Sequence, residues 1–80
     1  MKNNRIVYYD SFSIAVINAN GKIRRLYCPF LVKCIHSVDE IQFDSCVYVD
    51  QVFKDPDDKL TYLIGGNLYA YFNFKISINF

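Results

Sequence analysis

Histidine occurs once in this chain and tryptophan not at all; the three cysteines stand apart at positions 28, 34 and 46. These shortages exclude several kinds of chemistry. A zinc centre needs paired C-x-x-C or histidine-rich spacing, and Cys34 with His36 offers only two ligands on one strand face. A cysteine or serine nucleophile would have to use His36 as its base, and no local motif orients the pair. The stretch "KDPDDK" lacks the alternating oxygen ligands, the glycine and the terminal glutamate of a calcium loop, so it reads as a solvated turn. The glycine-bearing segments "NANG" and "IGGN" precede no helix and cradle no phosphate. The expectation is therefore a protein without catalytic residues, metal or cofactor.

Long apolar runs are also missing. Nowhere do eighteen apolar residues follow one another, so no membrane-spanning helix is expected. The N-terminal "MKNNRIVYYDSFSIAV" is basic, but Tyr8, Tyr9, Asp10 and Ser11 interrupt it, and no small-residue cleavage site follows. An odd number of scattered cysteines does not make the even disulfide framework usual in a small secreted domain. They read as reduced thiols acting as small hydrophobes, which places the chain in the cytoplasm.

What is present is an apolar, aromatic chain of 80 residues, with seven tyrosines and seven phenylalanines. That length makes one domain, residues 1–80, with a single small core. Heavy use of Asn, Ile, Lys, Tyr and Phe matches AT-rich coding and suggests a bacterial or phage origin. Charge is uneven along the chain. Residues 1–36 carry Lys2, Arg5, Lys22, Arg24, Arg25 and Lys33 against Asp10, whereas residues 37–80 hold every other acid.

No repeat or low-complexity segment appears, and no apolar period of helical length is sustained. Short apolar segments alternate with turn signals instead, as an all-β chain requires. "SFSIAVI" and "IRRLYC" flank "NANGK". There Asn18 and Gly21 suit a three-residue hairpin loop, with a two-residue loop at Asn20-Gly21 as the competing register. Pro29 breaks the ladder before "FLVKCIHS". The stretch "SVDEIQFDS" reads as a long loop pinned by Val38, Ile41 and Phe43. "CVYVDQVF" is a β-branched strand, and "KDPDDK" turns the chain, with Asp55 capping and Pro56 fixing φ.

The segment "LTYLIGGNLYAYFNF" concentrates rings around a Gly-Gly pair. An even loop there sets Leu63 against Leu68 and Tyr62 against Tyr69, and a three-residue loop would reverse one strand. From Leu68 onward, Leu68, Ala70, Phe72, Phe74, Ile76, Ile78 and Phe80 share one parity, with a helical turn near Asn73 as a natural break. That set is expected to face the core. Tyr62, Tyr69 and Tyr71, with Leu60, would then collect on the outer face. These rings serve either as packing or as a contact surface.

The order of elements from "VKCI" through "VYVDQV", "KDPDDK", "LTYLI" and "GG" to "YFNFKI" resembles the small SH3-like barrels of short bacterial proteins. The resemblance implies an antiparallel barrel of five or six strands, preceded here by an N-terminal hairpin. It also implies a single helical turn before the closing strand. Proteins of this fold bind peptides, proteins or nucleic acids, so fold alone does not choose a partner. The expected function is non-enzymatic protein–protein contact by surface occupancy. Tyr62, Tyr69, Tyr71 and Leu60 would form the surface, and Arg24 and Arg25 its polar rim. Size and composition suit a phage or mobile-element protein that covers a site on a host factor. Nucleic-acid binding through basic residues and surface tyrosines is the alternative, although Arg24 and Arg25 point to opposite strand faces. A C-terminal edge strand also offers a route to a homodimer.

Overall fold

The computed structural model describes residues 5–76 and 78. Its strands are β1 (Arg5–Asp10), β2 (Ser13–Ile17), β3 (Ile23–Tyr27), β4 (Phe30–Cys34), β5 (Cys46–Val49), β6 (Gln51–Lys54), β7 (Leu60–Ile64), β8 (Asn67–Ala70) and β9 (Phe74–Lys75). A single 3-10 turn, Tyr71–Asn73, separates the last two strands, near the expected break. The fold is all-β, in three antiparallel three-stranded sheets ordered β1-β2-β3, β5-β4-β9 and β6-β7-β8.

Two features correct the expected barrel of five or six strands. No ladder among the described residues joins the three sheets into a closed barrel. The strands are also more numerous. Residues 5–10 form β1, paired with β2. The apolar run 46–53 divides at Asp50, whose backbone N–H turns to the Leu63 carbonyl at 2.8 Å. Val52 N–H reaches the Ser11 carbonyl at 2.9 Å and ties the third sheet to the corner after β1.

Two loops have the same construction. In the first, Asn18 Oδ1 accepts the N–H groups of Asn20 and Lys22, both at 2.9 Å. Gly21 N–H returns to the Asn18 carbonyl, and Gly21 sits at φ +83°, a left-handed value that glycine adopts without steric cost. Ile17 faces Ile23, which establishes the three-residue register. In the second loop, Asp55 Oδ1 accepts from Asp57 and Lys59, again at 2.9 Å, and Asp58 N–H returns to the Asp55 carbonyl. Asp58 takes the left-handed position at φ +64°. In both, a short polar side chain supplies the acceptor that closes the turn.

The core is one cluster shared by all three sheets. Ile14 and Val16 enter from the first sheet; Phe30, Val32, Cys34, Val49 and Phe74 enter from the second. Val52, Leu60, Tyr62, Ile64 and Tyr69 enter from the third. Val38 and Ile41 bridge the long loop and pack on this cluster as expected, whereas Phe43 is exposed.

The last hairpin contradicts the expected direction of its faces. The Gly-Gly loop is even, with Leu63 opposite Leu68 and Tyr62 opposite Tyr69. Yet Tyr62 is fully buried, Tyr69 and Leu60 are buried, and Leu68 is 60% exposed. The reason lies in β7. Leu60, Tyr62 and Ile64 on one face offer far more apolar area than Thr61 and Leu63 on the other, so that face turns inward. The even loop then carries Tyr69 to the same side. Phe72 is likewise exposed, because the 3-10 turn inserted at Tyr71–Asn73 resets the parity and sends Phe74 and Ile76 inward. Ile78 is half-buried, and Phe80 lies outside the described residues.

The buried rings meet edge to face or at a tilt. Tyr62 lies 5.8 Å from Phe30 at 89° and 6.0 Å from Phe74 at 44°, and Tyr69 lies 6.2 Å from Phe74 at 72°. Each such contact adds about 0.5–1.5 kcal/mol beyond area burial. The Tyr62 hydroxyl is buried without a hydrogen-bond partner. Burial, with smaller effects from Tyr71 and Cys28, holds this phenol well above the ordinary tyrosine range.

Candidate functional site

Burial removes Leu60, Tyr62 and Tyr69 from the expected contact surface, and Arg24 and Arg25 do not stand beside them. Both arginines lie on β3 in a different sheet, and both are exposed. Tyr71 is half-buried. It lines a cavity of about 420 Å³ with Ile6, Val16, Ile35 and Phe74, and a neighbouring hollow of about 290 Å³ with Arg5 and Asp58.

The structure gathers a different set of rings on the outer face of the N-terminal sheet. Ile14 and Val16 of β2 point inward, so Ser13, Ala15 and Ile17 point outward. The registers place Val7 and Arg25 on either side of Ala15, and Tyr27 opposite Ser13. The β1–β2 register shifts between Tyr8 and Asp10, which leaves Tyr9 as the extra residue of a bulge. A bulge re-aims its side chain, and here it delivers the Tyr9 ring to Arg25.

Arg25 is the centre of this arrangement. Its guanidinium carbon lies 3.4 Å from the centroid of Tyr9 and 5.0 Å from that of Tyr27. Its Nε and Nη2 donate to Ser13 Oγ at 3.3 and 3.0 Å, and Nη2 stands 3.7 Å from Asp10 Oδ2. Ser13 Oγ in turn donates to Asp10 Oδ1 at 2.9 Å, and Phe12 N–H donates to the same oxygen at 2.8 Å. These donors, Phe12 first and then Ser13, hold the Asp10 carboxyl below its usual range despite an opposing desolvation effect; Arg25 adds to the lowering. Ser13 is buried beneath the arginine.

The network fixes two rings that nevertheless face solvent. Tyr9 is 59% and Tyr27 63% exposed, and Ile23 on the same face is 66% exposed. Such exposure of large apolar groups around a charged centre is the composition of a contact surface: tyrosine, arginine and aliphatic side chains on a rigid sheet. The arrangement can bind by desolvation. Among the described residues no three metal-ligating side chains stand together, and no helix is long and apolar enough to cross a membrane.

Of the residues expected from sequence, only Arg25 belongs to this face. Tyr9, Tyr27, Ser13 and Asp10 join it from outside the expected set. The signal for Tyr27 was the alternation in "IRRLYC", which puts Ile23, Arg25 and Tyr27 on one side. Tyr9 had no comparable signal, because a bulge is not visible in an alternation pattern. The chain matches no family model, and neither curated proteins nor solved structures give a match to it.

Proposed function

We propose that this chain is a non-enzymatic protein-binding module that acts by covering a site on its partner, with the outer face of the β1-β2-β3 sheet as the contact surface. The observation that carries this reading is the Tyr9–Arg25–Tyr27 stack, in which exposed rings are held rigid by intramolecular contacts. Rigid rings lose little conformational entropy on association, so more of the desolvation free energy survives as affinity. Arg25 is already partly offset by Asp10, which favours a protein surface over a polyanion.

The succession of elements from β4 to β9 supports an SH3-like reading of that region. A long loop follows β4, a 3-10 turn precedes β9, and β9 pairs with β4. A small, AT-rich-coded chain of this kind suits a phage or mobile-element protein blocking a host factor in the cytoplasm.

The double variant Tyr9→Ala/Tyr27→Ala tests the surface. It should retain the wild-type thermal unfolding midpoint to within a few degrees and lose the partner that the wild-type chain captures from cells of its source. Retention of that partner would overturn the assignment. Salt-sensitive gel retardation of single-stranded DNA by the wild type, lost in the double variant, would instead favour nucleic acid.

A further inference from the structure

The N-terminal sheet ends at β3, and the hydrogen-bond phase of the β2–β3 pair shows which backbone groups that edge presents. Cys28 N–H donates to the Phe12 carbonyl at 2.8 Å, and Asn18 N–H donates to the Lys22 carbonyl at 2.9 Å. Antiparallel pairs alternate between bonded and non-bonded residues, so Lys22, Arg24, Leu26 and Cys28 turn their backbone groups toward β2. Ile23, Arg25 and Tyr27 turn theirs the other way. No strand lies beyond β3 among the described residues. The edge therefore offers the N–H and C=O groups of the same three residues whose side chains dominate the outer face.

We propose that β3 accepts an extended acidic segment of a partner protein as a fourth strand of this sheet; the inference rests on the protein-binding reading above and specifies its mode. Strand addition satisfies the outward backbone groups, and alternate side chains of the added strand lie beside Ile23, Arg25 and Tyr27. Charge selects the occupant. Residues 11 to 38 contain no Asp or Glu; Asp10 partly offsets Arg25, and with Lys22 and Arg24 the strand and the residue before it still carry a net positive charge. Acidic side chains on the incoming segment complement this stretch. A second copy fits poorly, because pairing the whole strand antiparallel with itself sets Arg25 against Arg25, and like charges directly opposed destabilise a ladder. Charge on an edge strand is a recognised guard against such self-association.

Amide hydrogen exchange of the isotope-labelled full chain reads this directly. A short peptide of alternating Val and Glu should slow exchange at Ile23, Arg25 and Tyr27 by about tenfold while leaving Arg24 and Leu26, already bonded to β2, unchanged. The matching Val/Lys peptide should give less protection at the same concentration. Absence of added protection at those three amides, or equal protection from both peptides, would overturn the proposal. Protection that grows with protein concentration alone would assign the edge to a second copy and overturn it too. Ile23→Pro removes one outward donor without touching the β2–β3 ladder, a position where an edge strand tolerates proline, whereas Ile23→Ala keeps that donor. The proline variant should lose the Val/Glu peptide and the alanine variant keep it. If Ile23→Pro still captures the natural partner while Tyr9→Ala/Tyr27→Ala does not, the face stands as the contact surface and strand addition falls.

Discussion

The N-terminal sheet and the β6-β7-β8 sheet each carry tyrosines on two of their strands, and the pair Tyr9 and Tyr27 faces the opposite way from the pair Tyr62 and Tyr69. In the first, Tyr9 and Tyr27 face solvent around Arg25 while Tyr8 packs half-buried on the core; in the second, Tyr62 and Tyr69 are buried against Phe30 and Phe74. The difference is in what else each face holds. The outer face of the first sheet contains an arginine, a serine and an aspartate that satisfy one another, so their burial in the core would cost desolvation. Its opposite face has Ile14 and Val16 to bury instead. β7 has Leu60 and Ile64 flanking Tyr62, and no charged group on that side. Tyrosine follows its neighbours, because its ring gains from burial and its hydroxyl loses.

The sharpest way to break this comparison is at Tyr62. Tyr62→Ala should destabilise the chain by about 3–5 kcal/mol in denaturant unfolding, the range for removing a large buried ring. Tyr62→Phe keeps the ring and deletes an unpartnered hydroxyl, so stability should hold or rise by up to about 1 kcal/mol. The same pair separates in alkali. The raised phenol pKa means that the folded state retains a proton the unfolded state releases. Its contribution is complete below the unfolded tyrosine value of about 10 and is lost as pH rises beyond that value. The wild type should therefore weaken above that pH more steeply than Tyr62→Phe. Identical alkaline profiles would contradict the buried, neutral phenol.

A smaller effect is expected at the exposed stack. Arg25→Ala should cost about 1 kcal/mol, since cation–π contacts at exposed sites contribute roughly 0.5–1 kcal/mol each. It should also broaden the Tyr9 and Tyr27 ring resonances. Unchanged stability and sharp rings would show that the arginine does not organise them. Smallest of all, Leu68→Thr should shift stability by no more than about 0.5 kcal/mol, because Leu68 is largely exposed. A loss comparable to that of Tyr62→Ala would restore Leu68 to the core.

Much of the strand and turn pattern was legible beforehand. Asn18 with Gly21, Asp55 with Pro56, and the Gly-Gly pair are local signals, and local chemistry determines those loops. The break near Asn73 was legible from the length of the alternating run, too long for one straight strand of a small sheet. The direction of the last hairpin was not, because alternation defines two faces without naming the inner one. The phenylalanine-rich parity after Leu68 pointed one way and the composition of β7 the other; β7, in the middle of its sheet, prevailed. The site was less legible still. Arg25 was identifiable as surface, but its neighbours arrive through a bulge on β1 and a three-strand register, both products of long-range pairing.

The twin side-chain-closed loops at Asn18 and Asp55 have a consequence for the order of assembly. Each defines its hairpin from residues adjacent in the chain, so the β2–β3 and β6–β7 pairs need no distant partner to form and belong to the microsecond events of hairpin closure. The pairing of β9 with β4 joins Lys75 to Lys33 across about half of the chain and comprises only two residue pairs. Closing so large a span is slow. Damage to either loop should therefore slow folding, whereas damage to β9 should chiefly hasten unfolding.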